Sequence, residues 1–181
     1  EYSPALRTIA KAINYGLIYG MSAYRLAREI NISREEASEY MNRYFDKYPE
    51  VTGVLQGFID DAAEQGVAQT LYGRQRPVFN LDSSDRIQRE ASERIAMNAP
   101  IQGAAADIMK CAMCAVYKEL SNRFPRARLL LQVHDELVIE AHPEDAQEIT
   151  DMLHNVMSSV IELKVPLVVQ VAQGNSWGEI H

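Results

Sequence analysis

Apolar positions along this 181-residue chain follow two periods. Through residue 65 and again over 84–124 they recur at helical spacing, whereas 67–79, 127–142 and 165–174 hold short apolar runs bounded by turn residues. The spacing predicts a helix over 4–19, with Pro4 in its first turn and Gly16 and Gly20 loosening its end. Ser22 caps a short helix to about residue 29, and Ser33 with Glu36 forms a capping box for "REEASEYMNRYFDKY". Pro49 closes that helix, and 50–65 gives another, stopped at Gly66. "VAQTLYGRQRPVF", 67–79, reads as two short strands around a Gly-Arg turn. In the long helical stretch Pro100 removes a backbone donor, so a bend is expected near 99–103.

The second half changes character. "LLLQVHDELVIEA" places a histidine and two acids between two strand-like runs, 127–133 and 137–142, so the polar triplet falls at a hairpin tip. Two-residue loops favour Asn-Gly or Asp-Gly, because the preferred turns need positive φ. Asp135 with Glu136 lacks the glycine and sets like charges side by side. An amphipathic helix over 144–163 and a closing strand, "VPLVVQVAQG", complete the pattern. Helices followed by helix, hairpin, helix and strand make an α+β fold, a helical lobe and then an antiparallel sheet backed by helices.

Composition narrows the setting. No apolar run approaches the roughly 20 residues that span a bilayer, and the first residues carry no signal-peptide pattern. Cys111 and Cys114 lie inside a helical pattern without further ligands at metal spacing, which reads as two small core residues in a reducing compartment. The expectation is a soluble, cytoplasmic protein with no membrane association. Net charge is −7, against the basic balance usual for nucleic-acid binding. Its distribution is uneven: residues 2–28 hold four cations and no acid, while 142–181 hold six acids and one lysine. A local phosphate site on an acidic chain is therefore allowed.

Three constellations carry candidate chemistry. Arg7, Lys11, Tyr15 and Tyr19 recur every four residues, an advance of about 40° per step that keeps them on one broad helix face. An ordinary amphipathic helix would account for solvated cations beside two tyrosines. The order of the stripe says more, since cations suit phosphates and an aromatic face suits a base or sugar. Together they could hold a nucleoside triphosphate lengthwise. Arg94, Asn98 and Gln102 repeat that spacing among small apolar neighbours, either as a plain solvent face or beside a cleft. Such side chains can donate to the acceptors that every base pair shows in the minor groove. His134, Asp135 and Glu136 could be a solvated turn, but flanking strands this apolar favour a site. Their carboxylates suit Mg²⁺ or Mn²⁺, and two such ions about 4 Å apart can serve phosphoryl transfer. One acidic pair is thin for two dications, so another carboxylate is expected from elsewhere.

The residues resemble the C-terminal polymerase region of family A DNA polymerases, the bacterial DNA polymerase I type. "RTIAKAINYGLIYG" is similar to the family's fingers helix, R-x-x-x-K-x-x-x-[FY]-G-x-x-Y-G. "TLYGRQRPV", "ERIAMNAPIQGAAADIMK", "LLLQVHDELVIEA" and the closing "VPLVVQVAQGNSW" resemble its remaining stretches in the family's order. The resemblance implies a right-hand polymerase, with residues 1–80 as fingers and 81–181 as the C-terminal part of the palm, and primer–template DNA and dNTP as partners. It implies that Arg7 and Lys11 bind the triphosphate, that Lys11 could protonate the departing pyrophosphate, and that Tyr15 lies against the sugar and base. Tyr19 would sit at the templating position. Arg94, Asn98 and Gln102 would contact the duplex in the minor groove and His134 the primer end. Asp135 would ligate metal with Glu136 beside it, and two Mg²⁺ ions are expected in the complete enzyme, Mn²⁺ being an alternative.

Two departures matter. Most bacterial members carry Phe where this chain has Tyr15, and Tyr there goes with weaker discrimination against dideoxynucleotides. The family's other metal-binding aspartate, in a D-Y-S-x-I-E-L-R stretch upstream of the fingers helix, has no match, and "EYSPALRTIA" does not promote Glu1 to that role. The thumb and any exonuclease are missing too. The expectation is a fragment of a longer polymerase, lacking its upstream part and with little or no activity alone. A single-subunit RNA polymerase relative and a non-catalytic nucleotide- or DNA-binding module are the alternatives.

Overall fold

Prolines and serines punctuate the first half of the fold much as their chemistry dictates. The computed structural model describes residues 3–180, apart from the side chains of residues 4, 5 and 8, so Glu1 lies outside the described residues. Helix α1 (Pro4–Ile18) starts on proline, and α2 (Ala23–Ile30) starts where the Ser22 side chain accepts from the Arg25 amide. Helix α3 (Arg34–Lys47) carries the full capping box. Ser33 Oγ accepts from Glu36 N at 3.1 Å, and Glu36 Oε2 accepts from Ser33 N at 2.9 Å. Helix α4 (Pro49–Gln65) again begins on proline and stops at Gly66.

The chain divides into two compact units, Glu1–Gly103 and Ala104–His181. In the first unit, Ile13 and Leu17 of α1 pack with Leu26, Ala27 and Ala37, burying one face each of α1, α2 and α3. Each fully buried leucine contributes about 2 kcal/mol. Beyond α4, β1 (Val67–Gln69) and β2 (Gln75–Pro77) form an antiparallel hairpin, as expected for 67–79. It packs through Ala68 and Val78 onto Ala96 and Ala99 of α5 (Arg86–Arg123), a 38-residue helix that runs unbroken past Pro100.

Two close approaches set this unit. After α1 the chain turns at Gly20 with φ +73, where a Cβ would lie 2.9 Å from Met97 Cε and 3.1 Å from Arg94 Cγ. At Gly103 a Cβ would run into Thr70 Cγ2 of the hairpin. Both glycines therefore let another segment reach the surface of α5.

In the second unit, Val116, Leu120 and Phe124 of α5 form a stripe that packs against Ile149, Met152 and Leu153 of α6 (Ala146–Ser158). Leu129 of β3 (Arg128–Val133) and Leu137 and Ile139 of β4 (Glu136–Glu140) pack onto the same core, so helices back the hairpin. Three expectations need correction. Cys111 and Cys114 are free and exposed rather than core residues, because the buried stripe Ala112, Val116 and Leu120 lies on another face of α5. The last helix is shorter than 144–163, and a 3₁₀ turn, Pro143–Asp145, leads into it. Residues 165–174 form no strand. Their burial alternates from residue 167 to 171 as a strand's would, and Val171 packs on the core, but no ladder forms among the described residues. Pro166 lacks a donor, and the Gln173 side chain is committed to Thr150 Oγ1 at 2.7 Å.

Two stability measurements check these assignments. Ser33→Ala should lower unfolding stability by about 1 kcal/mol. The Ser33 backbone N–H, and then its hydroxyl, hold the Glu36 carboxyl below its ordinary range. A depressed folded-state value means stabilisation present at neutral pH and lost as pH falls through that value. Glu36→Ala should therefore destabilise at pH 7 and approach the parent in acid, read as melting temperature against pH. Gly20→Ala should cost at least about 1 kcal/mol, since an alanine must enter the left-handed region in a crowded place. An unchanged urea midpoint would contradict this.

Candidate functional site

The four-residue stripe on α1 forms as a continuous face. Arg7, Lys11 and Tyr15 are exposed and Tyr19, the capping residue of α1, is half-buried. The rings of Tyr15 and Tyr19 stack at 6.5 Å between centroids with 15° between planes, and Tyr15 keeps 55% of its surface open. Tyr24 and Tyr117 are more open still, so it is the stacking and the cations in line with it, and not exposure alone, that mark Tyr15. Two cations followed by a stacked, accessible aromatic platform can take a ligand that is anionic at one end and flat at the other.

The crowded turn at Gly20 brings the end of this stripe to α5. Asn98 Nδ2 points to the Tyr19 carbonyl at 3.5 Å, a long contact, and Asn98 Oδ1 is buried without a hydrogen-bond partner. Exchanging the two amide atoms would set oxygen against oxygen, so the orientation follows from the Tyr19 carbonyl. Arg94 and Gln102, one turn to either side of Asn98, are exposed. Within the first unit, Tyr19 and Gly20 thus meet Asn98 and Arg94, and Tyr15 reaches them only through its stacking on Tyr19. Gln102 lies further along α5, at the β1–β2 hairpin.

His134, Asp135 and Glu136 belong to the second unit, at the tip of the β3–β4 hairpin. The loop is one residue shorter than the polar triplet between the two apolar runs. His134 and Asp135 form it, and Glu136 begins β4 opposite Val133. The positive φ required by so tight a turn falls on His134, at 51°. Histidine tolerates that region better than most side chains, at a cost of about 1 kcal/mol. The Gln132 side chain offsets part of it by donating to the His134 carbonyl at 2.6 Å. A bulge between Leu129 and Leu131 adds twist to the approaching strand.

At the tip, Asp135 and Glu136 are exposed, oxygen-only donors, which fits a hard divalent cation. The fit is partial: among the described residues no three His, Cys, Asp or Glu side chains gather. Sequence reasoning missed Gln132, which became visible only when the turn was placed on His134.

The family profile of DNA polymerase family A matches residues 1–179. The chain is 45% identical to DNA polymerase I of Caldicellulosiruptor bescii over 179 residues, 99% of this chain and 21% of that protein. It is 47% identical to DNA polymerase I of Mycobacterium leprae over 178 residues, 98% of the chain and 20% of the relative. Against the thermostable DNA polymerase I of Thermus aquaticus the identity is 44% over 174 residues, 96% of the chain and 21% of the relative. The solved POL domain of Pol1 from M. smegmatis, in complex with DNA primer-template and dNTP, is similar with a TM-score of 0.93 and 45% identity. That match covers 99% of this chain and 32% of the other. The chain thus spans about a fifth of the length of these curated relatives. With a profile match from end to end, it belongs to DNA polymerase family A.

Proposed function

We propose that the chain supplies the fingers, residues 1–80, and part of the palm, residues 81–181, of a template-directed DNA polymerase. The observation that carries this reading is the α1 stripe, two open cations followed by a stacked tyrosine pair, ending against Asn98 of α5. The similarity to a polymerase domain bound to primer-template and dNTP supports the same assignment.

The reaction joins a primer 3′-OH to the α-phosphate of a dNTP. A P–O bond forms to the primer oxygen, the bond to the β-phosphate side breaks, and pyrophosphate leaves. Arg7 and Lys11 hold the triphosphate, and Lys11 gives its proton to the departing pyrophosphate. Tyr15 lies against the sugar and base, with its 55% open face as the contact surface, and Tyr19 occupies the templating position. Arg94, Asn98 and Gln102 meet the duplex in its minor groove, reading pair shape rather than sequence. His134 orients the primer end. Much of the rate comes from this positioning, since holding two reactants in line removes a large entropic cost.

Family A polymerases are generally metal-dependent. Asp135, with Glu136 beside it, would hold a share of two Mg²⁺ ions, Mn²⁺ being able to substitute, and two carboxylates alone are few ligands for two cations. Bound there, the cations supply charge stabilisation at the reacting phosphate.

Two variants, made in the polymerase that contains this chain, test the reading. The Tyr15 hydroxyl offers a hydrogen bond that replaces one lost with a missing 3′-OH. Tyr15→Phe should therefore raise discrimination against ddNTP about 10-fold, the equivalent of a hydrogen bond of about 1.5 kcal/mol. Unchanged ddNTP/dNTP selectivity would contradict the placement of Tyr15. Lys11→Ala should lower single-turnover extension by about 10² or more, as for a lost general acid. A parental rate would remove Lys11 from the mechanism.

A further inference from the structure

The proposed polymerase chemistry leaves Cys111 and Cys114, the chain's two cysteines, without a part. Both lie well inside α5, in the second unit, and both thiols are free and exposed. Three residues advance a helix by about 300°, so the two Cβ atoms leave one face about 60° apart. Ala112, Val116 and Leu120 are buried on the far side of the helix, and the last two enter the core of the second unit. That packing, together with the helical hydrogen bonds on either side, fixes the backbone from which both thiols project.

Spacing decides what such a pair can hold. Cβ atoms three residues apart on a helix are separated by about 5–6 Å. A disulfide needs about 3.8 Å, which would pull the anchored turn inward by about 1 Å or more. An ion held about 2.3 Å from each sulfur sets the sulfurs up to about 4.6 Å apart, a span that the undistorted helix offers. Thiolates select soft ions, which are zinc, the irons of iron–sulfur clusters and Cu(I). Zinc and iron–sulfur sites are built from about four protein ligands. Among the described residues no three His, Cys, Asp or Glu side chains gather. Cu(I), with its filled d shell, accepts two thiolates in line.

We infer that Cys111 and Cys114 form a two-coordinate site for Cu(I) on the outer face of α5. Binding makes two S–Cu bonds, each thiol gives its proton to solvent, and the ion stays in its reduced state throughout. Two thiolates and one Cu(I) leave a single negative charge on the complex. Lys110 and Lys118, one turn before and one turn after Cys114, are exposed on the same face and complement that charge. The site shares no residue with the α1 stripe or the β3–β4 tip, so it stands or falls apart from the polymerase reading.

Cu(I), delivered without oxygen from a chromogenic chelator to the reduced 181-residue chain, tests the inference through the chelator colour lost. Circular dichroism verifies the fold of each variant. Each chain should take about one ion, and iodoacetamide should then alkylate neither cysteine. Cys111→Ser and Cys114→Ser should each weaken binding about 100-fold or more, because a chelate becomes a single contact. Met113→Cys combined with Cys114→Ser keeps two thiols but sets them about 200° apart, and should bind as weakly as the serine variants. Zn(II) should be held far more weakly than Cu(I). Parental affinity in either serine variant or in the displaced pair would overturn the site, as would one ion shared between two chains. Equal affinity for Zn(II) would rule out two-coordinate binding. Ready closure of an intramolecular disulfide by a mild oxidant, with helicity unchanged, would overturn the choice of an ion over a disulfide.

Discussion

The close seating of the Tyr19–Gly20 turn on α5 is the contact on which the arrangement of the first unit rests. Gly20 adopts φ +73, strained for any other residue, where a Cβ would press on Met97 Cε and Arg94 Cγ. Only there does the carbonyl of Tyr19 come to face the Asn98 amide. Upstream of that point α1 carries its cations and stacked rings, and downstream α5 carries Arg94, Asn98 and Gln102. A polar stripe on one helix and a polar stripe on another become a single surface because one residue between them has no side chain. The second glycine contact, Gly103 against Thr70, seats the β1–β2 hairpin on the same helix in the same manner. Close backbone approach is what such surfaces require, and glycine is the residue that permits it.

The hairpin tip shows a different compromise. A two-residue loop without glycine forces a left-handed conformation onto His134, and the Gln132 side chain and the flanking strands hold it there. Two exposed carboxylates follow at once, on a chain already rich in acid. Local turn chemistry and charge both argue against that choice, which is why a site is the better account of it. In the proposed reading the tip would supply only part of a metal site. Its oxygen donors suit a hard cation, yet no third acidic or histidine ligand gathers with them among the described residues.

Local signals were legible in the chain, and signals that need a neighbour were not. Proline at the starts of α1 and α4, and the Ser33 and Glu36 box, act within one turn of helix, so the order of residues carried them. The stripe of Arg7, Lys11, Tyr15 and Tyr19 was legible for the same reason, since a helix converts spacing into a face. Residues 165–174 have the alternation of a strand, but a strand exists only through its ladder, and the pattern cannot supply the partner. The loop came out one residue shorter because Glu136, polar and exposed, still pairs with Val133, and hydrophobicity does not mark which residue takes positive φ. Cys111 and Cys114 fell on the wrong face because helical spacing alone does not say which of several small residues faces the core. The contact of Tyr19 with Asn98 joins residues 79 apart in the chain, beyond any local rule.

The proposed function asks two things of this chain, a nucleotide-holding face on α1 and a share of a divalent-cation site at the β3–β4 tip. The share of the cation site is the part that a single measurement can decide. Mn²⁺ titrated into the ¹⁵N-labelled chain broadens amide signals near wherever it binds. The account predicts that residues 133–137 broaden first and that Asp135→Asn abolishes the effect. Broadening centred on another acidic region, such as that around Glu144 and Asp145, or broadening indifferent to Asp135→Asn, would contradict it.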